Sequence, residues 1–381
     1  MPRRFVALLF VTVALVGQAA TARPPLALGR YIVTLRDSVA DPAVVAHQQV
    51  GLLGGRVTHV YSHALKGYAA SLPQALLARL LADARVRRIE PDSIMHVDTT
   101  QTGATWGIDR IDQRNLPLSS TYTYTKTGAG VTIYVIDTGI RFSHTDFGGR
   151  ASSGVDEIDG GPADDCYGHG THVAGTAGGA KYGVAKGASL VAVRVLGCDG
   201  SGATSGVIAG VEWVTANHQA GQPAVANMSL SGSGSSALDT AVRNSIADGV
   251  SYAVAAGNGN FLGIAQNACN SSPGRVAEAM TIGATTTSDA KAGYSNYGNC
   301  VDWFAPGSGV SSDWNTSDTA TRSASGTSMA APHTAGVAAL YLQGNPGASP
   351  AAVRQALFDL TTKNKVTNAR STNAHLLFTN L

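Results

Sequence analysis

Beyond residue 106 the chain repeatedly returns to short runs that are apolar without alternation: Val131–Ile136, Leu190–Leu196, Ala224–Leu230, Ser251–Ala255, Met280–Gly283 and Val301–Phe304. A strand that is apolar on both faces has to be covered on both faces, which is the condition of a parallel sheet enclosed by helices. The stretches between them, Thr171–Ala177, Thr204–Asn217, Ser236–Ala247, Ser328–Leu342 and Pro350–Leu360, read as those helices. The expected fold is therefore α/β, a doubly wound and mostly parallel sheet, with its site beyond the carboxyl ends of the strands.

Residues 23–98 follow another rhythm. Tyr31–Leu35 reads as a strand, Val44–Leu53 as a helix, Arg56–Tyr61 and Gly67–Leu72 as strands, Pro73–Ala82 as a helix and Val86–Val97 as a closing strand. That β-α-β-β-α-β order predicts a small ferredoxin-like α+β unit. The polar stretch Thr99–Thr105 has the composition of an exposed linker into a second domain, 99–381. At the start, Arg3-Arg4 precede an apolar run, Phe5 to Val16, ending at Ala20-Thr21-Ala22, which predicts a secretory signal over residues 1–22 and an extracellular destination.

Charged residues make up 14% of the 381, below the roughly 25% of an average soluble chain, and the net charge of +2 is spread without a basic block. Neither a nucleic-acid partner nor a membrane span is expected, since no apolar run reaches about 18 residues. The four cysteines, Cys166, Cys198, Cys269 and Cys300, all lie in the second domain. In an exported chain they imply two disulfides, for which the spacing alone leaves three pairings open.

Three segments carry chemistry. Asp137 follows the run Val131–Ile136 and precedes Thr138-Gly139, so a carboxylate stands where a buried strand meets a turn. His169 sits in Gly168-His169-Gly170-Thr171-His172-Val173-Ala174-Gly175, where flanking glycines let the backbone turn and leave an imidazole at a helix start. Ser328 lies in Gly326-Thr327-Ser328-Met329-Ala330-Ala331-Pro332-His333, ahead of an Ala-rich helix whose N-terminus offers unpaired N–H groups and positive potential. Pro332 is expected in or near the first turn. A serine becomes nucleophilic when a base takes its proton and donors await the oxyanion. The chain order Asp, His, Ser is one of the known orders of that triad.

These segments resemble those of the subtilisin-like serine proteases, and residues from Trp106 onward are similar to the proteinase K and aqualysin branch. The resemblance implies a serine endopeptidase that works through an acyl-enzyme, needs no catalytic cofactor and acts as a monomer on proteins and peptides. It implies Asp137, His169 and Ser328 as the triad, and Asn258, in Ala255-Ala256-Gly257-Asn258-Gly259, as the oxyanion donor. Substrate would add as a strand between Gly200-Ser201-Gly202 and Ser229-Leu230-Ser231, with Ala255, Ala256 and Gly257 helping to wall a first subsite for apolar or aromatic side chains. Ser231 departs from the glycine common there and is expected to narrow the cleft or alter a backbone angle. The same likeness implies disulfides Cys166–Cys198 and Cys269–Cys300. It also implies structural calcium at Asp302 with the Ala277 and Ala279 carbonyls, and at Asp109, Asp112, Gln113, Ser119 and Thr121. Residues 23–98, through Tyr31-Ile32-Val33, Gly67-Tyr68-Ala69-Ala70 and Ile89-Glu90-Pro91, resemble the family's prosegment, an intramolecular chaperone and inhibitor removed by self-processing near Asp98-Thr99. Two rival readings are a metal-dependent hydrolase built on Cys166, His169 and His172, and a silent relative that only binds peptides.

Overall fold

The computed structural model describes residues 28–92, 99–260 and 262–381, so the expected signal sequence and the cut near Asp98-Thr99 lie outside or at the edge of the described residues. The chain divides into two compact units at residues 96 and 97.

In the first unit β1 (Leu28–Leu35) is followed by α1 (Pro42–Leu53), β2 (Arg56–Tyr61), β3 (Gly67–Pro73), α2 (Leu77–Leu81) and β4 (Val86–Pro91). The sheet order β2-β3-β1-β4 is antiparallel throughout, and α1 packs its Val45, Ala46 and Val50 with Val33, Leu35, Tyr68 and Leu72. Helix α1 starts where the side chain of Asp41 accepts from the Ala43 and Val44 N–H groups, and it ends at Gly54, whose φ of 67° suits a residue without Cβ. The expected single helix over 73–82 is shorter. Pro73 still belongs to β3, a 3-10 turn follows over Gln74–Leu76, and α2 begins only at Leu77.

The second unit runs β5 (Thr99–Thr102), α3 (Trp106–Ile111), β6 (Thr121–Tyr124), β7 (Thr132–Asp137), β8 (Ala151–Asp156), α4 (His169–Gly178), β9 (Ser189–Arg194), α5 (Thr204–Asn217), β10 (Ala224–Met228), β11 (Gly232–Ser233), α6 (Ser236–Asp248), β12 (Ser251–Ala255), β13 (Ser271–Ser272), β14 (Met280–Thr285), β15 (Trp303–Pro306), β16 (Val310–Asp313), β17 (Thr321–Ala324), α7 (Thr327–Gly344) and α8 (Pro350–Leu360). Seven strands form one parallel sheet in the order β15-β14-β12-β10-β7-β9-β8. Successive residues of β7 serve opposite faces: Ile133 and Val135 join α4 and α7 in one core, and Tyr134 and Ile136 join α5 and α6 in the other. The chain builds β8 and β9 on one side of β7 and then crosses to β10 on the other, so the switch point of the sheet lies between β7 and β10.

Two expectations do not hold. Thr99–Thr105 is not a free linker, because Thr99–Thr102 pairs antiparallel with Thr121–Tyr124; its β-branched threonines suit a strand although their polarity suggests a loop. Pro332 stands beyond the first turn of α7, where its missing N–H leaves the Ser328 carbonyl without a helical donor; the Ser229 hydroxyl supplies one at 2.8 Å. The far end of the chain straps this unit shut. Leu377 donates to the Phe304 carbonyl, Thr379 to that of Ile111, and Leu381 accepts from Thr125.

Candidate active site

Asp137 is the last residue of β7, fully buried, and Ser229 follows the end of β10, so both stand at the switch point. The Asp137 Oδ1 accepts from the Thr138 N–H at 2.8 Å and from His169 Nδ1 at 2.7 Å. Because a carboxylate only accepts, Nδ1 carries the proton, which leaves Nε2 as the basic nitrogen. Burial presses the His169 pKa down, but the charge of Asp137, its hydrogen bond and the charge of Asp165 outweigh burial and raise it.

The loop that aims His169 is organised by Asp165, which the motif reading passed over. Its Oδ1 accepts from Thr138 Oγ1 and the Tyr167 and Gly168 N–H groups, and its Oδ2 from the Thr171 N–H and hydroxyl. Gly170 is required by a close approach, since a Cβ there would stand 2.1 Å from the Gly139 carbonyl oxygen.

Ser328 is the second residue of α7, 9% exposed, and its Oγ donates to the Ser229 carbonyl at 3.0 Å. Ser328, His169 and Asn258 line the same cleft. Asn258 Oδ1 accepts from the Thr327 N–H at 2.8 Å and the Thr327 hydroxyl at 2.9 Å, which fixes the amide so that its NH₂ is the free end. Thr327 is a second residue the motifs did not single out.

Gly200, Ser201, Gly202, Ser229, Leu230 and Ser231 line the cleft together with Leu196, Val207 and Leu238. Ala255, Ala256 and Gly257 do not. They are buried, the Ala255 and Ala256 methyls pack into separate cores, and the space beside Gly257 is filled by Asn296. Ser231 occupies its place without a left-handed backbone.

Cys166 is bonded to Cys198 and Cys269 to Cys300. The first bond takes Cys166 out of the rival metal cluster, and His172 faces inward, its Nε2 bonded to the Val310 and Arg322 carbonyls at 3.0 and 3.2 Å. Burial pushes the His172 pKa down to about 4, so it is a neutral internal histidine.

The two residue sets expected for calcium differ. Asp109 binds the Ser119 N–H, the Ser119 hydroxyl and the Ser120 N–H, and the Ser119 hydroxyl meets that of Thr121 at 2.7 Å. Asp112 Oδ2 accepts from the Thr123 N–H at 2.7 Å, while its Oδ1 is buried without a partner; burial first, then the nearby charge of Asp109, raises its pKa to about 6. An orphaned carboxylate oxygen in this loop, with Gln113 beside it bonded to Pro117, fits a hard cation. Asp302 does not fit: one oxygen accepts from the Thr281 N–H and the other from the Arg354 guanidinium, which already neutralises it.

Among the described residues no helix is long and apolar enough to cross a membrane. Residues 128–375 match the model of the subtilase family, and residues 30–98 match that of peptidase inhibitor I9. An extracellular serine proteinase of Thermus sp. (strain Rt41A) is 56% identical over 333 residues, covering 87% of this chain and 80% of the relative. The alkaline serine exoprotease A of Vibrio alginolyticus is 51% identical over 335 residues, 86% of this chain and 61% of that protein. A crystal structure of a cold adapted subtilisin-like serine proteinase superposes with a TM-score of 0.69 at 53% identity, covering 73% of this chain and 98% of the other.

Proposed function

The chain belongs to the subtilase family, as a subtilisin-like serine protease that carries an I9 inhibitor domain, and from that premise we propose that Asp137, His169 and Ser328 hydrolyse peptide bonds through an acyl-enzyme. His169 Nε2 takes the Ser328 proton as Oγ bonds to the carbonyl carbon, and the resulting imidazolium gives that proton to the amine as the C–N bond breaks. Water then attacks the ester by the same steps in reverse. Asp137 holds the imidazole in the Nδ1–H form and stabilises its charge, consistent with the raised His169 pKa. The Asn258 NH₂ and the Ser328 N–H meet the developing oxyanion. The Ser328 hydroxyl has to leave the Ser229 carbonyl to reach the imidazole.

The observation that carries this reading is the 2.7 Å hydrogen bond from His169 to buried Asp137 at the wall of the cleft that also holds Ser328. A fluorophosphonate should label Ser328 alone. Ser328→Ala should lower activity by on the order of a millionfold and leave the precursor uncut. Labelling elsewhere, or normal maturation of that variant in a host lacking other proteases, would overturn the assignment of Ser328, and no labelling at all would favour a silent binder.

Substrate adds as a strand between 200–202 and 229–231, and the apolar walls from Leu196, Val207, Leu230 and Leu238 favour apolar or aromatic side chains on the acyl side. Residues 1–22 direct export. Residues 23–98 assist folding, inhibit the enzyme and are removed by self-cleavage near Asp98-Thr99, leaving 99–381 as a monomeric extracellular peptidase. Calcium would be held by Asp109, Asp112, Gln113, Ser119 and Thr121 and supply structural charge. A chelator should then lower the melting temperature of the intact chain, and Asp112→Asn should abolish that response.

A further inference from the structure

Two depressions meet at His169 and Ser328. One holds the edges 200–202 and 229–231; the other is walled by Tyr167, Trp314, Arg322 and Met329 and shares His169, Asn258 and Ser328 with the first. If the acyl half of a substrate lies along the two edges, its leaving half must exit through the second depression. We propose that this second depression selects a carboxylate on the leaving-group side of the scissile bond, through Arg322 stacked on Trp314. The inference rests on the proposed roles of His169 and Ser328.

The charge balance of the walls is the first support. Among the described residues the second depression is lined by no Asp or Glu and by a single permanent cation, Arg322. Asp318, in the turn between β16 and β17, is already bonded to Arg141 and the Ser143 hydroxyl.

The second support is how firmly the guanidinium is presented. Arg322 sits on β17 opposite Ser312 of β16, with its guanidinium carbon 4.4 Å from the centre of the Trp314 ring. The indole is itself fixed, edge-on to His172 at 6.3 Å and against Gly168, where a Cβ would stand 2.4 Å from the ring. Stacking uses one face of the guanidinium and leaves its rim of N–H donors in solvent, the geometry that accepts a carboxylate. That carboxylate can be an Asp or Glu side chain just after the scissile bond, or the free C-terminus of a short leaving peptide.

The test uses quenched fluorescent peptides with one acyl side and two contrasts beyond the bond: Glu against Gln, and a terminal carboxylate against a terminal amide. Enzyme is counted by fluorophosphonate titration, so misfolded protein does not enter the rates. The wild type should favour an anionic member by about two- to fivefold in kcat/KM, the size of an exposed ion pair. The preference should shrink at about 1 M salt, where the screening length falls to a few ångströms. Arg322→Gln should bring the ratio to unity and Arg322→Glu should favour Lys instead. A response in the first contrast assigns the side chain, and in the second the C-terminus. Equal cleavage of all members by the wild type, or a preference that survives Arg322→Gln, overturns the inference while leaving the reaction standing. No cleavage of any peptide would instead sink the reading beneath it.

Discussion

Helix α4 ends in two different chemical settings. At its front, Asp137 is fully buried, yet its Oδ1 meets the Thr138 N–H and the His169 imidazole. At its rear, Gly175 and Gly179 make room for Asp146 and Asp313, and Asp313, equally buried, finds no donor for either oxygen. Burial first, then the neighbouring charge of Asp146, pushes the Asp313 pKa up to about 9, against weaker opposition from Lys181 and Arg150. His144 approaches within 3.6 Å, but its Nδ1 accepts from the Asp146 N–H. Depth in the protein is the same at both ends; what differs is the supply of donors, and at the rear its lack, with the like charge of Asp146 close by, favours the neutral acid.

The contrast breaks most readily at the front. Asp137→Asn removes the acceptor that fixes the imidazole tautomer, and kcat per titrated site should fall about 10⁴-fold with the melting curve little changed. A loss of less than tenfold would deny the front its special status. Next in size, Asn258→Leu should cost about 10²- to 10³-fold in kcat with KM nearly constant, since in its proposed role the amide acts on charge present only in the transition state.

The rear should respond in stability instead. Gly175→Ala places a Cβ 2.5 Å from both Asp313 Oδ2 and Ser312 Oγ. Urea unfolding should report a loss of about 2–3 kcal/mol, while kcat per titrated site stays within about twofold; an equal fall in turnover would show that the two ends are not independent. The smallest effect concerns pH. A carboxyl whose folded pKa is raised contributes most below its unfolded value and loses that contribution as pH climbs toward the folded one, here from about 4 to about 9. Wild-type stability should therefore decline across this window, and Asp313→Asn should flatten the decline, gaining about 1 kcal/mol or more near pH 9. Parallel pH profiles for the two proteins would remove the distinction between the ends.

The sheet and the proposed catalytic residues are marked in the sequence for one reason: their signals are local. Predominantly apolar runs without alternation mark β7, β10, β12 and β14, and a glycine-flanked His or a Ser ahead of an Ala-rich helix announces itself within eight residues. What escaped is relational. The edge strand β8, Ala-Ser-Ser-Gly-Val-Asp, has no apolar run because most of its residues stay partly or fully exposed. Asp165 reads as any turn aspartate until five donors from Thr138 to Thr171 converge on it. Ala255 and Ala256 stand beside Asn258 in the chain but turn their methyls into the interior. The tie from the Ser229 hydroxyl to the Ser328 carbonyl could be anticipated in part, because Pro332 leaves that carbonyl unserved, but nothing local says which residue answers.

The strap formed by residues 376–381 over Phe304, Ile111 and Thr125 sets a timetable. His169 and Ser328 both precede the segment whose backbone bonds hold α3 and the end of β6 in place. Closure of this unit therefore depends on pairings across more than 70 to more than 250 residues of chain, the kind that is slowest to form.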